Sequence, residues 1–119
     1  MTDWYFAGMF DEMFWGQVGE KRLIIGTGAA EVLRQIVAEA AEADLTWLVN
    51  ANQLDALCRA ELAFDIKRRG EGLRWVLNPF RDQADASGYA VTIREAIDAL
   101  VGTANTRGAE RSRRSYRLS

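Results

Sequence analysis

The chain has 119 residues, 49% of them hydrophobic, with a formal net charge of −2, one cysteine and no histidine. That length and composition suit a single soluble domain with a real core. They exclude an internal disulfide, a multi-cysteine zinc site, histidine-ligated metals and Ser-His or Cys-His catalysis.

The charge is unevenly spread. Residues 1–58 carry a net −6, residues 59–103 balance to zero and residues 104–119 carry +4. The pattern predicts an acidic core domain at 1–103 followed by an arginine-rich tail at 104–119. Met1–Trp15 lacks a basic start and contains Asp3, Asp11 and Glu12, so no signal peptide is expected. No apolar run approaches the roughly 18 residues of a membrane span. A cytoplasmic location is the expectation, or the inside of a host cell or virion if the protein is viral.

Residues 4–15 hold six of the twelve aromatic residues and two of the three methionines. As a helix, Phe6, Met9, Phe10, Met13 and Phe14 would share one face. As a strand, Trp4–Gly8 is rich in β-favouring rings, and Gly8 is awkward inside a helix. The second reading is preferred, with a helical turn or loop after it. These side chains are either core or an outward-facing anchor for a partner. The candidate partner-binding set is Trp4, Phe6, Met9, Phe10, Met13, Phe14 and Trp15. Asp11 and Glu12 are expected in an exposed turn.

Gln17–Glu20 reads as a turn joining the first strand to a second at Arg22–Gly26. Leu23, Ile24 and Ile25 form a continuous apolar run, which predicts a strand covered on both faces. Gly26-Thr27-Gly28 turns the chain into a helix from about Ala29 to Ala43, capped by Thr27 or Gly28. Val32, Leu33, Ile36, Val37, Ala40 and Ala41 line its apolar face. Asp44 marks a stop, and Thr46, Trp47, Leu48 and Val49 read as another strand. The rest of the chain is expected to pack around this strand-helix-strand unit.

The glycine turn resembles the opening of a dinucleotide-binding turn. Glu31 stands where the third glycine would be, and no acid ends the next strand. No Lys-Ser or Lys-Thr pair follows. A structural turn and no cofactor are the expectation.

Asn52 is placed to cap a helix from Gln53, with Leu54, Leu57, Cys58 and Leu62 at helical spacing. Cys58 reads as a small buried apolar residue. From Ala60 two patterns compete. One is a helix running on to Arg69. The preferred one is a β-hairpin at a sheet edge, with Leu62, Phe64 and Ile66 answered by Leu73, Trp75 and Leu77 across Arg68-Arg69-Gly70-Glu71-Gly72. Pro79 ends the second strand. Phe80–Gly88 is a polar connection, with Asp82 and Asp85 as solvated acids rather than a cation site. Tyr89–Val91 is a short strand. Thr92 and Glu95 form a capping box for a helix along Ile93, Ile97, Leu100 and Val101, ending at Gly102. The tail beyond is expected to be disordered when alone.

The predicted fold is a small α+β domain, a mixed or antiparallel sheet packed against two helices. No nucleophile, base and oxyanion donors come together in the sequence, so an enzyme is not expected. The favoured function is a non-catalytic binding, assembly or regulatory protein, such as an inhibitor or a component of a larger complex like a phage particle. It would work through the aromatic–methionine segment and the tail, with a protein partner or a second copy of itself. The alternative is a nucleic-acid accessory protein. Lys67, Arg68, Arg69, Arg74, Arg107, Arg111, Arg113, Arg114, Tyr116 and Arg117 would then contact phosphates, or carboxylates on a protein. A small carboxylate-dependent enzyme is a third reading.

Overall fold

The computed structural model describes residues 2–9, 13–21, 24–60, 62–78 and 86–118, with side chains through Thr106. It is an α+β domain. Six strands form one sheet: β1 (Trp4–Met9), β2 (Met13–Val18), β3 (Ile24–Gly26), β4 (Phe64–Arg69), β5 (Gly72–Leu77) and β6 (Ala86–Ala90). Their order is β3-β2-β1-β4-β5-β6, and every pairing is antiparallel. Three helices, one more than the two of the predicted fold but each at a segment whose periodicity is helical, complete the described domain: α1 (Ala29–Ala40), α2 (Ala51–Arg59) and α3 (Ile93–Leu118).

Strand periodicity decides where the core lies. Alternate residues of a strand point to opposite faces. Across the register, Phe14, Phe6 or Gly8, Ile66 or Phe64, and Trp75 or Leu77 fall on one face. The rings of Phe6, Phe14 and Phe64 pack with centroids 5.5–6.3 Å apart. All three helices close over this face in a single hydrophobic cluster. From α1 come Val32, Leu33, Ile36 and Val37, all buried as the spacing predicts. Each such side chain contributes roughly 1.5–3 kcal/mol relative to exposure. A Cβ on Gly16 would collide with the end of Ile36, so the missing side chain lets α1 settle onto β2.

The N-terminal reading holds for Trp4–Gly8, which is strand. The next segment differs from expectation. Met13–Val18 is a second strand paired along the whole of β1, not a helical turn or loop. Residues 10–12, with Phe10, Asp11 and Glu12, lie outside the described residues. The aromatics of 13–15 satisfy strand pairing better than a one-turn helix, because Phe14 reaches the core while Trp15 takes the other face.

Of the unit expected to organise the fold, the helix packs into the core while the first strand lies at the rim of the sheet. β3 is the outermost strand, and this described part of the expected run is not covered on both faces; Arg22 and Leu23 lie outside the described residues. Ile25 is 68% exposed. Gly28, not Thr27, caps α1, with no side-chain bond of its own. The free N–H of Ala29 donates instead to Asp55 Oδ1 on α2, at 3.0 Å. That carboxylate satisfies an orphan donor and faces the positive end of the helix dipole.

Thr46–Val49 is a 3-10 turn, not a strand. Asp44 Oδ1 accepts from both the backbone N–H and the hydroxyl of Thr46, at 3.0 and 2.6 Å. This local bonding competes with strand pairing and wins over the β propensity of Thr, Trp and Val. Trp47 drops into the core with its indole N–H donating to the Asp44 carbonyl.

α2 begins at Ala51 after Asn50, two residues earlier than Asn52 capping implied. The hairpin reading of 60–77 holds: β4 and β5 pair from Phe64↔Leu77 to Arg69↔Gly72. Its position differs, for β4 sits at the centre of the sheet beside β1. Residues 79–85, including Pro79, Asp82 and Asp85, lie outside the described residues. β6 starts at Ala86, ahead of the expected Tyr89.

Thr92 caps α3 as predicted: its Oγ1 accepts from Glu95 N at 3.2 Å, while the Glu95 carboxylate accepts from Val91 N. Gly102 does not stop the helix. Ala104 beyond it is still buried in the core.

Candidate functional site

Among the described residues no helix lies on the opposite face of the sheet. Reading across the register, one row of that face is Ile25, Trp15, Ala7, Asp65, Val76 and Ser87. The next is Gln17, Tyr5, Lys67, Arg74 and Tyr89. Met9 and Met13 pair beyond the first row. The face therefore has two ends. On β1, β2 and β3 it is apolar: Ile25 and Met13 are exposed, and Met9 and Trp15 are half-buried. On β4, β5 and β6 it is basic and aromatic, with Lys67, Arg69, Arg74 and a Tyr89 that is 84% exposed.

Between the ends sits a titratable pair. Asp65 is 4% exposed, and its Oδ2 accepts from the Tyr5 hydroxyl over 3.4 Å. Among the described residues its Oδ1 has no hydrogen-bond partner. Burial raises the Asp65 carboxyl above its ordinary range, against the opposing pull of Lys67, the Tyr5 hydrogen bond and Arg74. Burial first, then the charge and hydrogen bond of Asp65, push the Tyr5 phenol up to about 12. The Lys67 ammonium lies over the Tyr5 ring, 5.4 Å from its centroid.

The basic cluster read from the sequence divides by strand parity. Lys67, Arg69 and Arg74 reach the helix-free face. Arg68 points the other way and is not available to an external phosphate. Its side chain is 4% exposed and ion-paired with Glu42, itself 5% exposed. Arg68 Nη2 donates to Glu42 Oε2 at 3.1 Å and Nη1 to the Glu71 carbonyl at 3.2 Å, and the guanidinium lies over the Trp4 ring. Trp4 Nε1 donates to the same carboxylate at 2.9 Å. Glu42 is brought there by the end of α1, where Ala41 adopts a left-handed conformation and Glu42 N bonds back to Val37.

The aromatic segment divides in the same way. Trp4, Phe6 and Phe14 are core side chains, closed to a partner in this fold. Met9, Met13 and Trp15 stand on the helix-free face. Phe10 lies outside the described residues, as do the side chains of Arg107, Arg111, Arg113, Arg114, Tyr116 and Arg117. Sequence reasoning missed Ile25, Tyr5, Asp65 and Tyr89 as members of one surface. The signal was parity: Tyr5 stands opposite Lys67, and Arg74 opposite Tyr89.

Gly26-Thr27-Gly28 serves as a turn. A Cβ at Gly26 would come within 2.9 Å of Val32, a close strand–helix approach. Among the described residues no three Cys, Asp or Glu side chains gather to hold a metal, and no helix is long and apolar enough to cross a membrane. No family model matches the chain, and no curated protein or solved structure is significantly similar to it.

Proposed function

We propose that this is a non-catalytic binding and assembly protein that meets a protein partner through the apolar end of its helix-free sheet face. The observation that carries the reading is the grouping of Ile25, Met13, Met9 and Trp15 on adjoining strands, with no helix over them among the described residues. Aromatic and methionine side chains are enriched where protein surfaces meet.

A photo-crosslinking residue placed at Ile25 tests the reading against one placed at Val49, which is equally open but lies on the helix side of the molecule. In host cells, one protein should crosslink from position 25 and not from position 49, and Met13→Glu should remove that product without changing the melting temperature. Mass spectrometry of the product distinguishes a different protein from a second copy of this chain. Equal crosslinking from both positions overturns the reading.

A further inference from the structure

The basic end of the same face has a chemistry of its own. Assigning it a ligand rests on the reading that this face is the working surface. Four strands place Tyr5, Lys67, Arg74 and Tyr89 side by side in register. Neighbouring strands lie about 4.8 Å apart, so the two tyrosines stand about 14 Å from each other with two cations between them. Arg69 adds a third cation one step along β4. Among the described residues none of the three cations makes an ion pair. A cleft of about 250 Å³ is lined by Lys67, Arg69, Gly72, Leu73, Arg74 and Tyr89, with no carboxylate in its wall. Two acids lie nearby among the described residues: Asp65 is nearly buried and engaged with Tyr5, and Asp3, which lines a neighbouring cleft with Tyr5, Lys67 and Arg69, accepts from the Gly70 N–H.

We infer that this row is a binding site for single-stranded nucleic acid. Three cations on one face, none of them ion-paired among the described residues, favour a polyanion. An acidic peptide would satisfy them but would leave the exposed Tyr89 ring unused. A single strand uses both features, its phosphates on Lys67, Arg69 and Arg74 and a base stacked on the exposed Tyr89 ring. No helix among the described residues covers the row of Lys67, Arg74 and Tyr89, so unstacked bases can lie against it in a way that a closed duplex cannot.

The test is fluorescence anisotropy of the full chain with labelled oligodeoxythymidine of about 12 nucleotides, a length in the range that known single-strand-binding domains cover. Oligouridine is run beside it, and the tighter of the two identifies the natural source. With three phosphates engaged, raising salt from about 50 to 200 mM should weaken binding about 20-fold. Tyr89→Ala should weaken it about 5- to 150-fold, with an unchanged melting temperature because that ring is exposed. Arg74→Ala should weaken binding and lower the salt slope by about 0.7.

No binding at low salt overturns the inference. So does binding indifferent to both Arg74→Ala and Tyr89→Ala, which would place the strand elsewhere, for instance on the arginine-rich tail. Equal affinity for polyglutamate or for a duplex overturns it too. If the oligonucleotide fails while the Ile25 crosslink persists, the ligand is wrong and the face is right. If the crosslink is lost from position 25, the face itself is wrong.

Discussion

Strand β4 runs between two environments, and its residues show what each demands. Phe64, Ile66 and Arg68 turn toward the helices, while Asp65, Lys67 and Arg69 turn away. Two neighbouring arginines thus have opposite fates. Arg68 is sealed beneath α1 with Glu42, Trp4 and a carbonyl as partners, whereas Arg69 is exposed and makes no ion pair among the described residues. A run of basic residues in a strand is therefore not a patch. Half of it is structural, and only the other half can meet a ligand.

The contrast is sharpest where it is most costly to break. Glu42→Ala would leave the Arg68 guanidinium buried without its countercharge, and we expect a loss of about 3–5 kcal/mol in denaturant unfolding. Replacing both partners with leucine and methionine should recover most of that loss, because an apolar pair needs no desolvation of charge. A neutral Glu42→Ala would show that the pair is solvated. On the same covered face, Gly16→Ala forces Ile36 out of place and should cost about 1–3 kcal/mol through overpacking.

On the helix-free face the signs change. Asp65 carries a folded-state pKa raised above 3.8. Its contribution to stability is fully present below that value and is lost as the pH rises through the folded pKa, since the folded protein binds the proton more tightly than the unfolded chain. Asp65→Asn keeps an acceptor for the Tyr5 hydroxyl and removes the buried charge. It should stabilise the protein by about 1 kcal/mol at neutral pH and flatten the acid side of its pH profile. A variant less stable at pH 7 would mean that the carboxylate is needed there. The smallest effect is expected at Arg69→Gln, within about 0.5 kcal/mol of the parent, measured by the same unfolding curve.

The sequence made the local patterns legible. α1, the capping of α3, the β4–β5 hairpin and the strand at Trp4 were each visible as a period or a cap, because each is decided by neighbours a few residues away. The centre of the sheet was not. An apolar run such as Leu23–Ile25 reads as a buried strand, yet its partners and position depend on contacts the periodicity does not encode. Thr46–Val49 failed for another reason: one aspartate two residues ahead outweighed the β propensity of Thr46, Trp47 and Val49. The candidate surface was half legible. Its cations were named, but Tyr5 and Tyr89 joined them only once registers between distant strands were fixed.

The seam between β1 and β4 has a consequence for how the chain leaves the ribosome. The first hairpin can close as soon as β2 emerges, but Trp4↔Arg68 and its neighbours must wait for β4. About 55 residues of synthesis separate the end of β1 from the start of β4, about 3 to 10 seconds at ordinary elongation rates. Throughout that interval the strand Trp-Tyr-Phe-Ala-Gly-Met presents an unpaired, strongly apolar edge, the kind of template on which nascent chains join one another. Slowing translation between the two strands should therefore lower soluble yield, and accelerating it should raise it, with no change in the protein finally made.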